Sequence, residues 1–424
     1  MFTFLHAADI HLDSPLRGLD RYEGCPADEI RGATRRALAN LVKLAIDEKV
    51  AFVLIAGDVY DGDWRDHNTG LWFVRQMSIL RDAGIDVFLI SGNHDAKNKM
   101  TRELRLPDNV TTLSTDRPES RRTRDGSAAI HGQGFATAAV TEDLSATYPA
   151  AVPGCFNVGM LHTSATGREG HERYAPCTVD SLRSKGYGYW ALGHVHAREV
   201  LDARDAPIVF PGNVQGRHIG EEGAKGCMLV TVDDAGAATT EFRPLDVLRW
   251  AMCRIDASAA RSPDDVVDAF QDQIAGLLDA ADRRHLAVRV RVSGATAAHS
   301  VLVARAEDWS NDIRSVAISH GADRIWVESV KVRTSPPRRA KGSDPGADGP
   351  LAELDLIIAD LLGDESRLVA FAGDQLGDLR KKLPPELIRS DAVDLADPRW
   401  LRHELEHARA LLEARFDAAA EAAR

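Results

Sequence analysis

Five short motifs carry the residues that could do chemistry. In chain order they are Asp9-Ile10-His11, Gly57-Asp58-Val59-Tyr60-Asp61, Gly92-Asn93-His94-Asp95, Leu161-His162-Thr163 and Gly193-His194-Val195-His196. Asp, His and Asn without a thiolate suit hard to borderline divalent cations. In extended chain, the two side chains of Asp-x-His or His-x-His point to the same side, so each pair can reach one metal cluster. A central carboxylate can bridge two cations, and two cations about 3.5–4 Å apart clamp a phosphate, activate water and stabilise in-line displacement. The chemistry is phosphoester cleavage. Any one motif is weak, and the set in order is specific. His6, His67, His131, His171 and His218 lie outside the set and read as core or surface histidines with local partners.

The elements around the motifs are those an open α/β sheet needs. Residues 2–8, 51–56 and 86–90 are apolar strands, the latter two as continuous runs suited to burial on both faces. A helix over roughly 30–48 presents Ala37, Leu41, Leu44 and Ala45. A second over roughly 69–83 aligns Leu71, Val74, Met77 and Leu80, with Gly84 placed to cap it. Strand–helix–strand alternation implies parallel pairing with right-handed crossovers. The first three motifs follow such strands directly, and later strands end near Leu161 and Leu192, where sites form in these sheets.

Residues 1–246 thus read as the catalytic domain, and 247–334 as a small α+β cap. In the cap, Ser262-Pro263-Asp264-Asp265 starts a helix whose face carries Val266, Phe270, Ile274 and Leu277. A half-exposed strand over 286–292, a helix ending at Gly321 and a strand near 324–332 follow. Residues 335–350 have linker composition. Residues 351–424 form a helical tail, with Leu351, Leu354, Ile358 and Leu361 at one helical spacing and Leu401, Leu405, Ala408 and Leu412 at another. The apolar faces of the tail either pack on the core or dock a partner.

Composition narrows the class. No apolar run is long enough to cross a membrane, and the start of the chain lacks a signal-peptide pattern. Five dispersed cysteines without a CxxC argue for a reducing cytoplasm over a disulfide framework. The net charge of −12 sits awkwardly with DNA binding. The cations of a metal site offset some of the acids. Arg121-Arg122-Thr123-Arg124 and Arg338-Arg339-Ala340-Lys341 are either a local basic track or solvated loops.

The ordered motif set resembles the calcineurin-like metallophosphoesterases, whose fold is a pair of facing mixed sheets flanked by helices. Core, cap and helical tail together resemble SbcD-type DNA repair nucleases. Three stretches resemble the bacterial YhaO-like branch: Gly92-Asn93-His94-Asp95-Ala96, Ala129-Ile130-His131-Gly132-Gln133-Gly134-Phe135, and Phe210-Pro211-Gly212-Asn213-Val214-Gln215-Gly216-Arg217-His218.

The resemblance implies one metal held by Asp9, His11, Asp58 and His196, and a second held by Asp58, Asn93, His162 and His194. Two manganese ions are implied, although ligand chemistry alone equally permits iron or zinc. His94 is implied to act on the leaving oxygen without binding metal. Asp95 is suited to orient that imidazole, with capping of a turn as the alternative. Asp61 replaces a histidine of the archaeal and eukaryotic relatives, removing one helper near the phosphate. Arg217 and His218 are candidate phosphate contacts, or else loop residues paired to a local acid such as Glu221 or Glu222.

The leading expectation is a metal-dependent DNA exonuclease, with endonuclease activity as an extension. It would work in DNA repair beside an SMC-like ATPase, and the resemblance implies a homodimer. A small-molecule phosphodiesterase or phosphatase is the alternative. A binding protein with a dead site is the third reading, and the intact ligand set argues against it.

Overall fold

The structure is a computed structural model. It describes residues 1–14, 30, 32–61, 67–97, 104–165, 174–204, 206–337, 350–377, 397–402, 404–406, 408–409 and 412. Cys25, His171 and the 338–341 basic cluster lie outside these residues.

Two six-stranded mixed sheets form the first part of the chain. Across the first, the order is Ala238–Pro244, Gly226–Val232, Phe2–Ala7, Phe52–Ile55, Asp86–Leu89 and Val110–Thr112. The last four strands are parallel, as the alternation requires, and Phe2–Ala7 pairs antiparallel with Gly226–Val232. Across the second, the order is Glu119–Arg122, Ala128–Gln133, Phe156–His162, Tyr189–Gly193, Ile208–Phe210 and Glu199–Asp202.

Alternation along the strands builds three cores. Phe4, Phe52, Leu54 and Phe88 of the first sheet meet Ile130, Val158, Met160 and Tyr189 of the second between the layers. Leu5, Val53, Ile55 and Val87 point the other way, onto Leu41, Ala45, Phe73 and Met77 of the flanking helices. Leu161, Trp190, Leu192 and Phe210 line the outer face of the second sheet. Strands buried on both faces read as unbroken apolar runs for this reason.

The helices span Ala33–Asp47 and His67–Asp82. Gly84 takes φ +75° and closes the second in a Schellman turn, with Gly84 N–H to Arg81 O at 2.8 Å and Ile85 N–H to Leu80 O at 2.9 Å. The expected face of this helix is rotated: Leu71 is exposed and Val74 half-buried, and Phe73, Gln76, Met77 and Leu80 face the core.

The described residues fall into two compact units, those within 1–252, 277–288 and 323–328, and those within 253–276, 289–322 and 329–412. Strands Leu248–Asp256, His285–Ala295 and Ile325–Ser335 form a three-stranded sheet. The helix over Pro263–Ala280 buries Val266, Phe270 and Ile274, and Asp265 caps it by accepting from the N–H groups of Arg261 and Ser262. The helix expected to end at Gly321 is Ala306–Gly321, preceded by a short helix, His299–Ala304. In the tail, helices Pro350–Gly363 and Glu365–Gln375 pack on each other and on Leu401 through Leu361, Leu368 and Ala372. Among the described residues, no helix is long and apolar enough to cross a membrane.

Candidate metal centre

All five motifs sit where strands of the two sheets end. Asp9 follows Phe2–Ala7, Asp58 follows Phe52–Ile55, and Asn93 opens a short helix, Asn93–Lys97, after Asp86–Leu89. His162 ends Phe156–His162, and His194 follows Tyr189–Gly193.

The route to convergence differs from the expected extended alternation. Asp9, His11, Asp58 and His194 have φ of 51°, 45°, 52° and 98°. These are left-handed conformations that cost on the order of 1–3 kcal/mol each and persist where surrounding structure enforces them. The chain between Asp9 and Leu12 is held by N–H bonds to the carbonyls of Gly57, Asp58 and Val59. Gly92 makes the close approach feasible, since a Cβ there would overlap Asp58 Oδ1.

The donor atoms fall into three overlapping groups: Asp9, His11 and His196; His11, Asp58 and His94; and Asp58, His162 and His194. His11 Nε2 lies 3.2 Å from His196 Nε2, with Asp9 in the same group. His162 Nε2 and His194 Nδ1 lie 3.0 and 3.2 Å from Asn93 Oδ1. Asp58 Oδ2 stands between, 3.8 Å from His11 Nε2 and 3.4 Å from His162 Nε2. All seven residues assigned from the motifs as ligands are therefore brought together.

The set fits two divalent cations by its chemistry. Asp9 and Asp58 are buried, and among the described residues neither pairs with a Lys or Arg. Burial pushes the Asp9 carboxyl up. Burial acts likewise on Asp58, but His162, His11 and His94 together hold its carboxyl well below the usual range. Burial disfavours charge on His162, yet Asp58 raises its pKa to about 9. Buried acids among imidazoles, with oxygen and nitrogen lone pairs aimed at one another, form an environment that cations satisfy. Second contacts fix the rings: His162 Nδ1 bonds Ala56 O at 2.9 Å, leaving Nε2 for the site.

His94 is half-buried beside the cluster, and its Nδ1 pairs with Asp61 Oδ1 at 2.8 Å, which raises its pKa. Asp61 also accepts from Ser14 Oγ at 2.6 Å. This corrects two expectations. The residue that meets Nδ1 of the imidazole is Asp61, at the position where the resemblance implied the loss of a helper. The oxygens of Asp95 accept from the N–H groups of Val59, Tyr60 and Gly92 at 3.0–3.2 Å, clasping two motif loops together. His94, Asp58 and His11 also form a group of metal-binding geometry, so His94 stands within reach of a cation.

Arg217 is paired to the local acid Glu221. Nη2 pairs with Glu221 Oε1 at 3.1 Å, while Nη1 faces Ser14 Oγ at 3.5 Å and Asp61 Oδ2 at 3.9 Å, next to His94. His218 is exposed and makes local contacts, accepting from Gly220 N–H at 3.1 Å and lying 3.6 Å from Glu221. His6 is a satisfied core histidine, bonded to Tyr189 Oη and Leu192 O, with burial lowering its pKa to about 3. His131 bonds Ser120 and Asn157. The motifs had pointed to Glu221 only as a partner for Arg217; its bond to His196 Nδ1 at 2.7 Å had no sequence signal beyond a buried acid near the loop.

A facing pair of mixed sheets with a dimetal-type donor set at the strand ends defines a class. The chain matches the model of the calcineurin-like phosphoesterases over residues 2–198, and that of the middle domain of metallophosphoesterase YhaO over residues 250–335. It is 35% identical over 278 residues to a protein of Bacillus subtilis described as uncharacterized metallophosphoesterase YhaO, covering 65% of this chain and 68% of that one. Identity to the DNA double-strand break repair protein Mre11 of Sulfurisphaera tokodaii is 26% over 212 residues, 48% of this chain and 51% of that protein. For Mre11 of Saccharolobus solfataricus it is 24% over 216 residues, 49% and 53%. The chain belongs to the calcineurin-like metallophosphoesterase family.

Proposed function

We propose that this protein is a two-metal phosphodiesterase that acts on DNA as an exonuclease in repair, alongside an SMC-like ATPase. The observation that carries the hydrolytic part is the overlap of donor groups around Asp58 and His11, with the His94–Asp61 pair beside them. When bound, the cations would supply Lewis acidity to the phosphate and an activated water. Asp9, His11, Asp58 and His196 would hold one, and Asp58, Asn93, His162 and His194 the other; manganese is the proposed metal. His94, polarised by Asp61, faces the cluster as the group that protonates or stabilises the leaving oxygen. Arg217 Nη1 is placed to grip a phosphate oxygen.

The DNA reading is supported by the similarity to Mre11 proteins. A cytoplasmic setting is supported by the free cysteines 155, 177, 227 and 253. A homodimer belongs to the same proposal. One observation favours a small phosphoester instead: Arg121 pairs with Glu119, and Arg124 with Asp86 at 2.9 Å, so part of the expected basic track is already neutralised.

The test is hydrolysis of linear duplex and of a model phosphodiester, both with manganese, across a salt series. DNA action predicts nucleotide release and affinity falling steeply as salt rises. Hydrolysis of the model ester with no duplex binding at low salt, even with the ATPase present, would favour the small-molecule reading.

A further inference from the structure

Glu221 lies outside the convergent donors, yet four contacts meet on its buried carboxylate. Oε1 accepts from His196 Nδ1 at 2.7 Å and from Arg217 Nη2 at 3.1 Å. Oε2 accepts from the Arg217 backbone N–H at 2.7 Å and from Asn213 Nδ2 at 2.9 Å. A carboxylate offers about four lone-pair sites, so this one is fully used. An ionised carboxylate only accepts, so the 2.7 Å contact with Glu221 calls for the proton on His196 Nδ1 and a free Nε2 lone pair, against a longer approach of the donor Arg217 Nη2 to Nδ1 at 3.3 Å. Nε2 is the atom that faces His11 Nε2 at 3.2 Å. The backbone of His196 is held as well, by Lys225 Nζ on its carbonyl at 2.9 Å. On its other side, the same carboxylate fixes Arg217 so that Nη1 turns toward Ser14 and Asp61.

We infer that Glu221 is a positioning residue that holds His196 in its metal-binding tautomer and aims Arg217 at the same face, so that ion affinity and phosphate grip depend on one carboxylate. This rests on the two-metal reading of the site. A carboxylate that merely fastens the Pro211–Glu222 turn would leave ion affinity alone.

The experiment is a Mn²⁺ titration by calorimetry, with metal content, on the full chain and its variants. Glu221→Gln keeps the shape but replaces one acceptor oxygen with a donor, so it cannot serve all four contacts. It is expected to bind one ion normally and the other roughly 10–100-fold more weakly. His196→Gln should weaken the same ion, and the double variant should be no weaker than His196→Gln alone, because both act through one ring. Arg217→Ala should keep both ions at wild-type affinity and raise KM for a model phosphodiester. Wild-type affinity for both ions in Glu221→Gln, or a loss additive with His196→Gln, overturns the proposal. Should Glu221→Gln lose its melting transition, Glu221→Asp carries the comparison. It is expected to bind the weaker ion with an affinity between those of wild type and His196→Gln, and unchanged affinity overturns the proposal. A wild-type chain that binds no Mn²⁺ refutes the two-metal reading itself, and this inference with it.

Discussion

His94 lets chemistry be tested apart from metal binding. The imidazole faces the cluster, and Asp61 holds its Nδ1 at 2.8 Å. His94→Gln is therefore expected to keep two ions per chain while hydrolysis slows roughly 10²–10⁴-fold, the range of a general acid. Asp61→Asn should slow hydrolysis by roughly 10–100-fold, since it loosens and depolarises that ring, and should also weaken the ion near His11, whose Nδ1 lies 3.6 Å from the same carboxylate. Metal content and kcat on a model phosphodiester check both; a His94→Gln chain that loses an ion makes His94 a ligand, as its place near His11 and Asp58 permits. The seven converging donors were legible because Asp, His and Asn recur at strand ends, where side chains must converge. The partners of those residues were not legible. Asp95 stands next to His94 in sequence, but its carboxylate is taken by backbone N–H groups; Asp61 is remote in sequence and reaches the ring through the fold.

At the scale of elements, periodicity located strands and helices well and misjudged one face. Leu71, Val74, Met77 and Leu80 are each three residues apart, and at about 3.6 residues per turn nine residues make about two and a half turns. Leu71 and Leu80 therefore lie on opposite sides, and the structure buries Leu80 and exposes Leu71. Leu71→Lys is expected to change stability by no more than about 0.5 kcal/mol, whereas Leu80→Ala should cost about 2–5 kcal/mol. Urea denaturation distinguishes them, and a Leu71→Lys cost as large as that of Leu80→Ala would contradict the exposed placement of Leu71. Sequence also could not show the left-handed turns at Asp9, His11, Asp58 and His194, because none is a glycine. Those conformations come from bonds between motif loops, such as Asp9 N–H to Gly57 O, and from the motif glycines that let the loops approach.

For the whole molecule, the tail and the metal centre make separable claims. Among the described residues, Leu361, Leu368, Ala372 and Leu401 form a small core with other tail residues only, while Leu356, Ile357 and Phe371 stay exposed. A chain ending after Pro337 is accordingly expected to melt cooperatively and to cleave a model phosphodiester at the full-length rate, while losing association with the proposed ATPase partner in a pull-down. Collapse of its melting transition would show that the tail is part of the folded core. The central claim, hydrolysis by two cations sharing Asp58, is tested most directly by stripping the full-length protein with a chelator and titrating Mn²⁺ back. Bound metal, melting temperature and phosphodiester hydrolysis would be followed together. The account predicts no hydrolysis in the stripped chain and a melting temperature that rises as ions bind. It also predicts full rate only at two ions per chain. Full hydrolysis in excess chelator, or saturation of the rate at one ion, would contradict it.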